Sequence, residues 1–177
     1  MGDFGQFVIP FGGLKQGNHQ YLFEIDESFF DHFEYGEIKK GTLSAGLDLE
    51  KEGNLLVLNF SFSGRVELPC DRCGELFSLP VSGNDRLIVK SGSGYYEEDE
   101  MIQVIPESEN QVDVSPFIYE FIHLLLPVRR VHPDDENGKS TCNPEILRKL
   151  DPEDKSTMPD PRWEALNKLR DKLQNDS

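Results

Sequence analysis

TLSAGLDLEKEGNLLVLNFSF, residues Thr42–Phe62, decides the fold. Leu43, Ala45, Leu47 and Leu49 alternate with polar or small residues. That period of two gives a strand one buried and one wet face. After Glu50–Asn54 the alternation resumes, with Leu56, Leu58, Phe60 and Phe62 on one side. Gly53 supplies the backbone freedom that a tight connection needs, so the stretch predicts an antiparallel hairpin.

Working outward, Gly64–Leu68, Phe77–Val81 and Arg86–Val89 read as further short strands, each bounded by Gly, Pro, Ser or Asn. With Tyr21–Ile25 they predict an α+β fold, a mainly antiparallel twisted sheet or partial barrel. Ser28–Tyr35 carries Phe29, Phe30 and Phe33 at helical spacing behind Ser28 as cap, and predicts a short helix plugging one end. In Val112–Pro116 the pair Ser115 and Pro116 reads as N-cap and first helical residue. The helix it opens runs to Leu126 before Pro127, and Phe117, Ile118, Phe121, Ile122, Leu124, Leu125 and Leu126 cover most of its circumference. It is expected to lie on the sheet as the core helix, with His123 a packing residue.

The remaining sequence is polar. Ser91–Glu100, SGSGYYEEDE, reads as an acidic loop. Residues 133–159 read as a tether with a short helix around Pro144–Leu150. Asp160 and Pro161 then open a helix with Trp163, Leu166, Leu169 and Leu173 along one stripe. The expected organisation is therefore a mainly-β core domain over 1–132 with its core helix at 115–126, the tether, and a docking helix over 160–177.

Charge narrows the function classes. Among 177 residues, 18 Lys and Arg face 33 Asp and Glu, a net charge of −15. Such a field repels phosphates unless a local basic patch outweighs it, and attracts basic proteins. The start of the chain lacks a basic segment followed by an apolar one, and Phe117–Val128 is too short and polar to span a bilayer. Three cysteines are too few and odd in number for a disulfide framework. A cytoplasmic setting without membrane association is expected. There is no phosphate loop, no metalloprotease helix and no nucleophile elbow, so neither a catalytic residue nor a small-molecule substrate is expected.

The most specific local feature is LPCDRCGEL, Leu68–Leu76, with two thiols three positions apart and a glycine that tolerates positive φ. It looks like half of a structural zinc site, which needs four ligands. Cys70 and Cys73 would be completed by His132 and Cys142, with His19, His32 and His123 less well placed. The alternative is a bare Cys-x-x-Cys turn kept for its tight geometry. A redox pair is disfavoured because Phe77–Val81 reads as strand, whereas reactive pairs sit at a helix N-terminus. Arg65, Arg72 and Arg86 lie near the turn, and Arg129 and Arg130 follow the core helix. They form either a local RNA contact or scattered surface charges paired to the many acids.

VELPCDRCGELFSLPV, then HLLLPVRRVHP, Cys142 and a closing DPRWEALNKL resemble, in that order, the YceD family of large ribosomal RNA subunit accumulation proteins. The resemblance runs from about Arg65 to the C-terminus and implies a part in large-subunit ribosomal RNA accumulation. Many members carry a second Cys-x-x-Cys pair in the tail as zinc ligands. Here that stretch reads VHPDDENGKSTC, Val131–Cys142, leaving His132 and Cys142. Two readings follow. One is a non-catalytic ribosome-biogenesis factor that binds a basic ribosomal protein through the sheet edge, the acidic loop and the Trp163 helix. The other is a direct RNA-binding module using Arg65, Arg72, Arg129 and Arg130.

Overall fold

The structure is a computed structural model that describes residues 4–33, 36–92 and 102–150. The Trp163 helix and nearly all of the acidic loop, including its four consecutive acids, lie outside the described residues. A 3-10 turn, Phe4–Phe7, leads into β1 (Val8–Ile9), β2 (Gly17–Ile25), α1 (Glu27–Asp31), β3 (Lys40–Glu52), β4 (Leu55–Pro69) and β5 (Leu76–Ser91). Then follow β6 (Ile102–Ile105), β7 (Val112–Asp113), α2 (Ser115–Leu124) and α3 (Pro144–Leu150). The fold is α+β, built on an open five-stranded sheet in the order β2-β3-β4-β5-β6. All neighbours are antiparallel except β5 and β6, which run parallel. Of the two expected forms, the described residues make the open twisted sheet.

The hairpin predicted around Gly53 is present, with Gly53 at φ 59°. What differs is strand length. The Ser, Gly and Asn residues that marked ends at Ser63–Gly64 and Ser82–Arg86 lie inside continuous strands of 15 and 16 residues. Alternation never breaks there, because β4 turns its even-numbered and β5 its odd-numbered positions inward, Gly64, Leu79, Gly83 and Asp85 being half-buried. Ala45, Phe62 and Gly83 stand in one cross-strand row, as do Leu43, Gly64 and Val81. The two glycines make room. A Cβ on Gly64 would lie 2.3 Å from the Thr42 carbonyl oxygen, and one on Gly83 would enter the space of the Leu125 side chain.

Helix α2 covers this apolar face. Ile118 and Ile122 are fully buried, and Phe121 meets Phe60 edge-on with ring centroids 5.4 Å apart. The helix ends at Leu124, two residues before the expected Leu126, and Leu124 turns out into solvent, so the burial expected over most of its circumference holds only on the sheet side. The small β1–β7 ladder ties the N-terminal segment to the start of α2, and the Val114 N–H donates to the Phe7 carbonyl at 3.0 Å.

Both expected serine caps are displaced by the same device. Asp26 Oδ1 accepts from the Ser28 N–H at 2.9 Å and from the Ser28 hydroxyl at 2.6 Å. Asp113 Oδ1 likewise accepts from the Ser115 N–H at 2.9 Å and its hydroxyl at 2.7 Å. A carboxylate two residues upstream is the stronger acceptor, so each serine donates to it instead of capping. The N-cap positions are therefore Asp26 and Val114. The Ser28 hydroxyl, helped by local N–H donors, holds the Asp26 carboxyl below its usual range against the opposing effect of burial.

Candidate metal centre

Strands β4 and β5 pair to their last residues, Pro69 opposite Leu76, and the intervening turn carries Cys70 and Cys73. It is closed by Cys70 N–H to the Glu75 carbonyl at 2.9 Å and Gly74 N–H to the Cys70 carbonyl at 2.8 Å. Gly74 adopts φ 77°, which a side chain would oppose. This geometry points both sulfurs to one side of the tip.

The other two residues arrive from the segment after α2. Asp71 and Arg130 exchange two bonds, one through the Asp71 side chain: Asp71 N–H donates to the Arg130 carbonyl at 2.7 Å, and Arg130 N–H donates to Asp71 Oδ2 at 2.6 Å. That clamp sets His132 over the tip, where its ring lies against Phe77 with centroids 4.9 Å apart. Asn143 Nδ2 donates to Glu75 Oε1 at 2.6 Å and anchors the far end of the segment, beside Cys142.

Cys70, Cys73, His132 and Cys142 thus converge, with one ligand atom from each lying within 4.8 Å of all the others. The Sγ atoms of Cys70 and Cys142 are 3.7 Å apart, and His132 Nδ1 is 3.5 Å from Cys73 Sγ and 3.7 Å from Cys142 Sγ. All three thiols are buried and none forms a disulfide. Burial pushes the Cys70 thiol up, but N–H donors at Arg72 and Cys73 and contacts with His132 outweigh it and bring it down to about 6. At Cys142 the Ser140 hydroxyl favours the thiolate, while burial and the neighbouring Cys70 and Cys73 sulfurs push the thiol up more strongly. The four residues can hold a metal ion.

The other histidines are engaged elsewhere. His19 Nε2 bonds the Lys15 carbonyl at 2.8 Å, His32 stacks on Phe4, and His123 Nδ1 donates to the Tyr119 carbonyl at 2.8 Å. The arginines do not gather. Arg65 lies on the solvent face of the sheet, bonded to the Ser78 hydroxyl and carbonyl. Arg130 is bound to Glu37 at 2.5 Å and lies 3.9 Å from Asp71, and the Glu37 hydrogen bond raises it further above its ordinary value. Arg72 and Arg129 do share a hollow of about 340 Å³, together with His132, Asp134, Ser140 and Cys142. Phe77, Glu75, Ser140 and Asn143 were not singled out in the sequence, and only their closeness to the cysteines along the chain hinted at a part.

A hairpin tip and a returning segment that together present three thiols and an imidazole define a small α+β protein with four residues placed to hold a metal ion. Residues 58–170, nearly two thirds of the chain, match the family described as "Large ribosomal RNA subunit accumulation protein YceD", and the chain belongs to that family. No curated protein and no solved structure matches it. The family description implies a role in large-subunit ribosomal RNA accumulation. Among the described residues no helix is long and apolar enough to cross a membrane.

Proposed function

We propose that the protein is a zinc-clasped, non-catalytic factor of the cytoplasm that supports large-subunit ribosomal RNA accumulation by binding a basic ribosomal protein. Zinc suits the ligand set. With bonds of about 2.3 Å to sulfur and about 2.0 Å to nitrogen, tetrahedral edges come to about 3.8 Å between sulfurs and about 3.5 Å between sulfur and nitrogen. The separations of 3.7, 3.5 and 3.7 Å match those edges. Its part would be structural, tying the segment after α2 to the hairpin.

The observation that carries the choice of partner is the solvent face of the sheet. Its outward positions in β2–β5 hold small and polar residues, mixed charges, prolines and a few aliphatics such as Leu22, Val57 and Ile88, and no Phe, Tyr or Trp. Sheets that bind single-stranded RNA stack bases on aromatic rings at such positions. The phosphate-binding alternative is also weak at the clasp. A divalent ion with three thiolates is anionic, and with Asp134 it cancels Arg72 and Arg129. A net charge of −15 then favours a basic protein.

Purification of the tagged full chain at low and moderate salt, with zinc, RNA and protein quantified, tests this reading. A basic ribosomal protein retained after RNase treatment and lost with salt is the expected result. RNA retained without such a protein, and weakened by neutralising Arg72 and Arg129, would replace it with the RNA-contact reading.

A further inference from the structure

The parallel pairing of β6 with β5 leaves the far edge of Ile102–Ile105 without a strand partner among the described residues. Beside that edge lies a hollow of about 610 Å³, bounded by β6, the following turn, β7 and the first turn of α2. Its walls include Val104, Ile105, Pro106, Val112 and Phe117, and its charged lining residues are Glu107, Glu109 and Asp113. Both glutamates and the aspartate are exposed. On the β5 side Lys90 stands opposite Val104 in the pairing, which leaves the carboxylates in excess. In the adjoining hollow, Lys51 is committed to the Phe11 and Leu14 carbonyls at 2.7 and 2.9 Å.

An edge with no strand partner among the described residues, an apolar wall and an acidic rim favour one kind of ligand. In an extended chain successive side chains point to opposite sides. A segment that alternates Lys or Arg with aliphatic residues therefore turns its apolar side to the wall and its cations to the carboxylates while its backbone bonds the edge. We infer that this groove captures an extended, basic segment of the protein partner by strand addition to β6. The inference deepens the proposed function and rests on its basic-protein reading.

Binding of the zinc-loaded full chain to a synthetic peptide of alternating lysine and valine tests it, with a peptide of the same composition in block order and one N-methylated along its pairing edge. The alternating peptide should bind best, and N-methylation should weaken it by about tenfold or more, as expected for loss of several edge hydrogen bonds. The double substitution Glu107→Lys, Glu109→Lys lies on the exposed rim and should leave zinc content and thermal unfolding unchanged. It should weaken the alternating peptide by about tenfold at low salt, with the difference closing at high salt. Equal affinity for the alternating and block peptides, or for the parent and charge-reversed proteins, would overturn the groove assignment. If a basic ribosomal protein still binds the charge-reversed protein at full strength, the groove is wrong and the broader function stands. If neither peptide nor basic ribosomal protein binds the parent, both fall.

Discussion

Stripping the proposed zinc, or replacing Cys142 with Ser, should free the segment after α2 while leaving the sheet intact. Ordering the roughly 20 residues from Val131 to Leu150 costs on the order of 20 kcal/mol at about 1 kcal/mol each. Against that stand the Arg130–Asp71 clamp, the Asn143–Glu75 bond and nine further hydrogen bonds in or onto the segment, worth together about 12 kcal/mol at about 1 each. Partial burial of Val131, Ile146 and Leu147 around Cys142 adds about another 3 kcal/mol. The shortfall, about 5 kcal/mol, is covered by the roughly 10 to 16 kcal/mol that structural zinc contributes in small domains, and without an ion the segment opens. Hydrogen exchange followed by mass spectrometry reads the result directly. After chelation, amides of Asp71, Asp135 and Leu147 should lose protection, while those of β3 and the middle of β4 keep theirs. Unchanged protection in the segment, with metal loss verified by elemental analysis, would refute the claim that the ion holds it.

Three further outcomes are expected. Gly64→Ala pushes a Cβ to 2.3 Å from the Thr42 carbonyl oxygen and 2.5 Å from Leu43 Cα, so backbone must move; denaturant titration should show a loss of about 3 kcal/mol. Gly83→Ala meets only the end of the Leu125 side chain, and the same titration should show a smaller loss. Phe121→Ala removes the ring that contacts Phe60 and Phe62 and should cost about 3 to 4 kcal/mol by the same assay, with zinc content unchanged. The third concerns pH. Because the Cys70 thiol lies at about 6, below its usual range, its thiolate is present above that pH and lost below it. Cobalt(II) loading, followed by thiolate-to-metal absorbance, should therefore weaken as pH falls through about 6. At neutral pH, calorimetry in buffers of different ionisation enthalpy should detect proton release on loading, to which Cys142, whose thiol is pushed up, contributes.

The hairpin and the core helix were legible because each rests on a period, two for Leu43–Phe62 and the helical one for Ile118, Phe121 and Ile122. Strand ends were not. Gly64 and Gly83 looked like punctuation, yet each sits where a neighbouring group occupies the space of a side chain, a fact that belongs to the packing. β6 escaped notice because its four residues, Ile102–Ile105, carry too short a pattern. The four residues that cluster could be named because few thiols and imidazoles were available. That Cys73 and His132 meet across 59 positions, and Cys70 and Cys142 across 72, is set by where α2 crosses the sheet. Arg130 illustrates the opposite difficulty: its partners, Glu37 and Asp71, are distant in sequence or on another element, so its commitment to them was invisible.

Strand β5 has the thiol turn just before its first residue and Gly92, at the wall of the acidic groove, just after its last. Sixteen residues of strand give a contour of up to about 50 Å between the two ends. The ribbon is hydrogen-bonded along its whole length to β4 and offers no hinge in between. It acts as a spacer of fixed length, so whatever is gripped at one end is presented at a set distance and bearing from whatever the other end touches.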